Sequence, residues 1–255
     1  MGNKEIMVAR DLYTGYSHKQ VVCKNINAHL DTGSLTCLIG RNGAGKSTLM
    51  RTMCGFLKPI DGDIFLGGKR IKDYSQTALS RELSVVLTEI ISEINYLSVR
   101  SVVEMGRYPY CNCFARLSVE DHQMVDQALK TVGIEHLAEK SMAAISDGQR
   151  QKVMIARALA QDTRVVILDE PLSFLDMPSR IEIMSLLKDI AHSHDKAILL
   201  SSHDIELALH YADSLWVIDR DSHIYTATAP YTDRSRIIDD VFGAQSESVK
   251  DFLKL

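Results

Sequence analysis

Gly40-Arg41-Asn42-Gly43-Ala44-Gly45-Lys46-Ser47-Thr48 places three glycines ahead of a lysine and two hydroxyls. Glycine is the residue that loses most conformational freedom on folding, so a segment this poor in side chains must gain something by being ordered. Its flanks say what. Leu35-Thr36-Cys37-Leu38-Ile39 reads as a short buried strand, and Ser47 to Met53 as the first turns of a helix. Strand, glycine-rich loop and helix in that order match GxxxxGK[ST]. In that motif backbone N–H groups wrap phosphates, the lysine reaches the outer ones and the hydroxyl holds Mg2+. The helix start adds its unpaired N–H groups and its positive dipole end at the same point.

The rest of the chain narrows the class. Its 255 residues are 45% hydrophobic and 24% charged, enough apolar material for one large globular domain. A net charge of −4, without a dense Lys/Arg run, argues against nucleic acid as partner. The five cysteines, Cys23, Cys37, Cys54, Cys111 and Cys113, lack a zinc-site spacing and read as free thiols in a reducing cytosol. No run of about 18 apolar residues occurs, and the start, MGNKEIMVARD, lacks a signal-peptide core. Any service to a membrane is therefore expected to run through another subunit.

Short apolar runs in the first 35 residues suggest an antiparallel edge feeding the strand before the loop. Turns at Pro59-Ile60-Asp61-Gly62 and Gly67-Gly68 bracket a strand at Asp63 to Leu66. From residue 89 to 155 helical spacing takes over, with Val99, Val102, Val103 and Met105 on one stripe and a capping box at Ser118-Val119-Glu120-Asp121. Strand and helix then alternate through Val165 to Leu168, Ile181 to Leu187, Ala197 to Leu200 and a helix from Asp204, which implies a parallel sheet.

Val165-Val166-Ile167-Leu168-Asp169-Glu170 ends a buried strand in two carboxylates, where open α/β sheets bind ligands. Such a pair is costly to bury without a cation. Asp169 is expected to hold Mg2+ and Glu170 to polarise a water as general base. Ser146 in Ile145-Ser146-Asp147-Gly148-Gln149-Arg150-Gln151 reads as the N-cap of an amphipathic helix.

Taken together, ISDGQRQ between the phosphate loop and the acid pair resembles the LSGGQ signature of the ATP-binding cassette (ABC) ATPases. The resemblance covers nearly the whole chain. It implies a P-loop NTPase fold: a RecA-like core of mixed or parallel sheet over 1–88 and 156–255, with an antiparallel β edge, and a helical subdomain inserted at 89–155. Within it Ser173-Phe174-Leu175-Asp176 is similar to the D-loop, His203 to the histidine that holds the γ-phosphate, and Tyr16 to the aromatic that stacks on adenine. The resemblance also implies that Ser146, Asp147, Gly148, Gln149 and Asp176 serve the nucleotide of a second copy, so that two chains sandwich two ATP molecules. A helix start offering a hydroxyl and N–H groups is in itself an anion site.

Two departures stand out. Thr88, followed by Glu89, occupies the place of the family's glutamine; its one oxygen makes Thr88 a further candidate ligand for Mg2+, and because threonine is shorter, Glu89 or a water is the alternative substitute. Asp147 replaces a glycine and is expected to repel phosphate unless it points outward or pairs with a cation such as Arg150. Met105-Gly106-Arg107-Tyr108-Pro109-Tyr110 and the SDGxxQ form of the signature resemble the importer branch for iron-siderophore, haem or cobalamin. The resemblance therefore implies an ATPase of an importer, peripheral on the cytoplasmic face of the membrane, with a permease and, indirectly, a substrate-binding protein as partners. A scaffold of iron-sulfur assembly type and an exporter component remain as alternatives.

Overall fold

The computed structural model describes residues 5–87, 92–111, 116–243 and 246–253. The chain begins with two long strands, β1 (Glu5–Ser17) and β2 (Gln20–Asp31), followed by β3 (Ser34–Ile39) and helix α1 (Lys46–Met53). Next come β4 (Asp61–Leu66), β5 (Lys69–Arg70), a short α2 (Gln76–Ser80) and β6 (Leu83–Val86). Helices α3 (Val99–Glu104), α4 (Val119–Thr131) and α5 (Asp147–Ala160) precede β7 (Val165–Leu168), α6 (Met177–Ser193), β8 (Ala197–Ser202) and α7 (Ile205–Tyr211). The chain closes with β9 (Ser214–Ile218), β10 (Ile224–Thr228), α8 (Arg234–Phe242) and α9 (Ser246–Leu253).

The central sheet has the order β10-β9-β3-β8-β7-β6, and its strands are parallel except β10. Both of its faces are covered, as a parallel sheet requires. Leu35, Cys37 and Ile39 of β3, with Val166 and Leu168 of β7, pack into one apolar cluster with α3, α4, α5 and α6. Leu38, Val165 and Ile167 point into a second cluster built from α1 and the first two strands.

The early strands are not an edge of this sheet. They form a second, antiparallel sheet in the order β2-β1-β4-β5. Both flanks of β3 are already hydrogen-bonded, to β8 and β9, so no ladder position remains for β2. The antiparallel strand of the central sheet is instead β10, paired with β9 at the outer edge.

The helical stretch is held by its polar punctuation. Ser118 and Asp121 form the expected capping box on α4, and Gly133 follows that helix with φ +72. Helix α5 runs without interruption across residue 155, joining the helical stretch to the sheet, and the next strand starts at Val165. Arg107 locks this junction: its Nε donates to Asp121 Oδ1 at 2.8 Å, its Nη1 donates to the Ala160 carbonyl at 2.8 Å, and its guanidinium lies 4.0 Å from the Tyr110 ring centre. Gly106 admits the close approach, since a Cβ there would strike the Arg157 carbonyl.

Burial opposes ionisation of Asp121, but the Ser118 hydroxyl, the Ser118 N–H and Arg107 outweigh it and bring the carboxyl from 3.8 down to about 2. A depressed folded-state value means that the stabilisation is complete above the unfolded value and fades as pH falls towards the folded one. We predict that Asp121→Ala costs about 3 kcal/mol at neutral pH by leaving Arg107 buried and unpaired. In thermal unfolding that is a fall of roughly 6–12 °C at this chain length. The gap between parent and variant should narrow from about pH 4 to about pH 2.

Candidate functional site

Because β3, β7 and β8 are parallel neighbours in register, their C-terminal ends open on the same edge, with Ile39 beside Ser202 and Leu168 beside Leu200. The glycine-rich loop leaves β3 there, Asp169 and Glu170 leave β7, and His203 leaves β8. Residues far apart in sequence are thus delivered to one place by sheet register.

The loop is a closed anion cradle. Gly45 caps α1 at φ +102, and a Cβ on it would collide with Val22 Cγ1, so only glycine fits. Gly43 also has positive φ. Below the loop the Cys23 thiol donates to the Ala44 carbonyl at 3.6 Å. Burial pushes that thiol up to about 11 and keeps it protonated as a donor. Nothing in the sequence around Cys23 signals this role as the floor of the loop, since it depends on β2 passing beneath.

Lys46 is 5% exposed, and its Nζ donates to the carbonyls of Gly40 at 3.0 Å and Arg41 at 3.3 Å. Burial lowers its ionisation below the usual lysine range, while Glu170 and then Asp169 pull it back up. Ser47 Oγ donates to Asp169 Oδ1 at 3.3 Å, which joins the loop to the end of β7. Tyr16, 62% exposed, sits at the mouth with its hydroxyl 3.4 Å from Thr48 Oγ1. Its ring is available to a flat aromatic ligand.

Asp169 is 7% exposed. Its Oδ1 also accepts from Ser201 Oγ at 2.7 Å. The Glu170 N–H donates to the same Ser201 Oγ at 2.7 Å, and Ser173 Oγ donates to Glu170 Oε2 at 3.1 Å. Neither serine stands out in the sequence as a partner of these acids. The donor set at Ser47 and Asp169 is hard oxygen, which fits Mg2+. No group of three or more His, Cys, Asp or Glu able to hold a metal occurs among the described residues.

The signature start is not part of the loop, and its Asp147 and Arg150 line one cleft with Asp169 and Glu170. Ser146 and Gln149 form a reciprocal capping box at the start of α5, with Gln149 N to Ser146 Oγ at 3.2 Å and Ser146 N to Gln149 Oε1 at 3.1 Å. No hydrogen bond among the described residues connects Ser146–Gln149 to the glycine-rich loop. Gly148 packs against Ser179, where a Cβ would lie 3.1 Å from the hydroxyl. Ser179 N in turn donates to Asp176 Oδ1 at 3.2 Å, so the signature and the D-loop meet at the start of α6. Arg180 extends the link, with Nε on the Leu175 carbonyl at 2.9 Å and Nη1 3.6 Å from Asp204 beside His203.

Arg150 is not the counter-ion of Asp147. Its guanidinium is spent on Asn95 Oδ1 at 2.8 Å and the Met142 carbonyl at 2.9 Å, and Asp147 is exposed. As the first residue of α5 it sits where the helix dipole favours an acid. His203 is exposed at the end of β8. Thr88 and Glu89 lie outside the described residues, as does Cys113, whereas Cys23, Cys37 and Cys54 are buried free thiols.

Comparison with known proteins gives the same constellation a context. A family model described as ABC transporter matches residues 23–173. The achromobactin transport ATP-binding protein of Dickeya dadantii is 39% identical over 246 residues, covering 96% of this chain and 90% of its own. The iron(3+)-hydroxamate import ATP-binding protein of Bacillus subtilis is 33% identical over 237 residues, 93% of this chain and 87% of its own. A solved inward-facing transporter of metal-chelate type superposes with a TM-score of 0.80 at 28% identity, over 93% of this chain and 89% of that one.

Lys46→Ala removes the buried cation beside the loop. We predict a loss of ATP affinity of about tenfold or more in a titration with a fluorescent ATP analogue. Unchanged affinity would remove the loop from nucleotide binding.

Proposed function

Since the chain belongs to the ABC transporter family, we propose that it is the ATP-hydrolysing subunit of an importer, in which two copies close around ATP and drive a separate membrane permease. One observation carries this reading: Lys46, Ser47, Asp169 and Glu170 converge at the C-terminal ends of β3 and β7, while no hydrogen bond among the described residues joins the helix start at Ser146 to the glycine-rich loop. The phosphate-facing parts are then complete only when a second copy supplies its Ser146 and Gly148.

In this reading the amides from Gly40 to Thr48, with Arg41, Asn42, Gly43, Ala44 and Gly45 forming the wall, and the Lys46 ammonium neutralise the phosphates. Tyr16 stacks on the base. Ser47 and Asp169, with Thr88 as a further ligand, would hold Mg2+, which would neutralise phosphate charge. Glu170 accepts a proton from the water that attacks the γ-phosphorus, the bond to the leaving ADP oxygen breaks, and His203 holds the phosphoryl oxygens in place. Asp147, Gln149 and Asp176 frame the site of the opposite copy. Binding closes the pair, and hydrolysis reopens it.

Residues 1–88 and 156–255 form the nucleotide-holding core and residues 89–155 the helical unit that meets the permease. No helix among the described residues is long and apolar enough to cross a membrane, which fits attachment to the cytoplasmic face through that permease. The cargo we assign is a metal chelate of the iron-siderophore, haem or cobalamin kind, delivered by a substrate-binding protein. The relatives' import of an iron(3+) hydroxamate and transport of achromobactin support that class.

Glu170→Gln should keep ATP affinity while its steady-state hydrolysis falls by about a hundredfold or more. Turnover at the parent rate would take Glu170 out of this role. Tagged protein recovered from membranes in mild detergent should bring down a many-helix permease in equal amount. Recovery of soluble proteins alone would contradict the transport reading and favour the scaffold alternative.

A further inference from the structure

One hydroxyl at the site has no part in the roles above. Ser201 is the next-to-last residue of β8 and is 0% exposed. The ladder pairs Leu168 with Leu200, so the residues that follow, Asp169 and Ser201, stand side by side. On its other flank Ser201 pairs with Leu38, just before the glycine-rich loop.

The chemistry fixes how this hydroxyl is used. A serine has one proton to give and two lone pairs. The Glu170 N–H can only donate, and it does so to Ser201 Oγ at 2.7 Å. The serine proton therefore goes to Asp169 Oδ1, also at 2.7 Å. A single buried oxygen thus ties the carboxylate assigned to Mg2+ to the backbone of the residue assigned to the water.

That backbone needs tying. Glu170 has φ +47, in the left-handed region that strains a residue with a side chain and persists only where its surroundings hold it. Ser201 holds it by the N–H, and Ser173 holds the carboxylate at Oε2 at 3.1 Å. Without Ser201 the N–H loses a partner and the side chain of Glu170 is no longer aimed by its main chain.

We propose that Ser201 is a positioning residue of ATP hydrolysis, whose one hydroxyl sets Asp169 and Glu170 in a fixed relation so that both address the same phosphoryl group. The proposal rests on reading the site as an ATPase centre and adds a residue that acts through the two acids. A purely structural role is the competing possibility, and Ser84 measures it. That buried serine on β6 shares a hydrogen bond of 2.9 Å with Thr163 Oγ1, and it has no part in the proposed site.

The test compares the full-length parent, Ser201→Ala and Ser84→Ala. The readouts are kcat, KM for ATP, thermal midpoint, and binding of a fluorescent ATP analogue with and without Mg2+. Ser201→Ala should lose roughly 10- to 100-fold in kcat with KM within about twofold. Its Mg2+ requirement for tight nucleotide binding should rise about tenfold, with metal-free binding unchanged. Ser84→Ala should show neither effect even where its thermal midpoint falls as far. Parent-like kcat and Mg2+ requirement in Ser201→Ala would overturn the proposal, as would an equal loss of kcat in Ser84→Ala. Both results leave the ATPase reading standing. A parent that neither binds nor hydrolyses ATP would instead remove the ATPase reading, and the role of Ser201 with it.

Discussion

A carboxylate that is 7% exposed, Asp169, stands at the end of a buried strand with the hydroxyls of Ser47 and Ser201 on one oxygen. A charge in that position is tolerated only where donors or a cation meet it. Meeting it takes three separate parts of the chain at once: the loop after β3, the end of β7 and the end of β8. The parallel register that brings them together is in turn held by two apolar clusters, one on each face of the central sheet. The energetics of the core and the electrostatics of the site are therefore one problem.

The same logic explains why the helical stretch is fastened to the sheet by polar contacts. Helix α5 presents the signature at its start and packs against the core further on. Arg107 and Tyr110 pin its far end, while Ser179 and Asp176 meet its near end through Gly148. Contacts thus run from the start of α5 to the D-loop and, through Arg180 and Asp204, to the segment carrying His203. In the proposed dimer these contacts link the parts that touch the partner's nucleotide to those that serve the chain's own.

Much of this was legible in the sequence, and the limits of legibility follow a physical line. The glycine-rich loop, the acid pair and the caps at Ser118 and Ser146 are local patterns, in which neighbours along the chain supply the interaction. Whatever depended on which strand lies beside which was not legible. The separate antiparallel sheet followed from β8 and β9 having taken both flanks of β3. Arg150 chose Asn95, which lies 55 residues away, over Asp147 three residues away. Cys23 under the loop and Ser201 beside Asp169 are products of register in the same way.

The proposed site takes parts from two copies of the chain, and the state of association in the presence of nucleotide tests this most directly. Sedimentation velocity of Glu170→Gln with ATP and Mg2+ should give a dimer carrying one nucleotide per chain, with ADP returning it to monomer. A variant that binds ATP yet stays monomeric at every protein concentration would contradict the two-copy site.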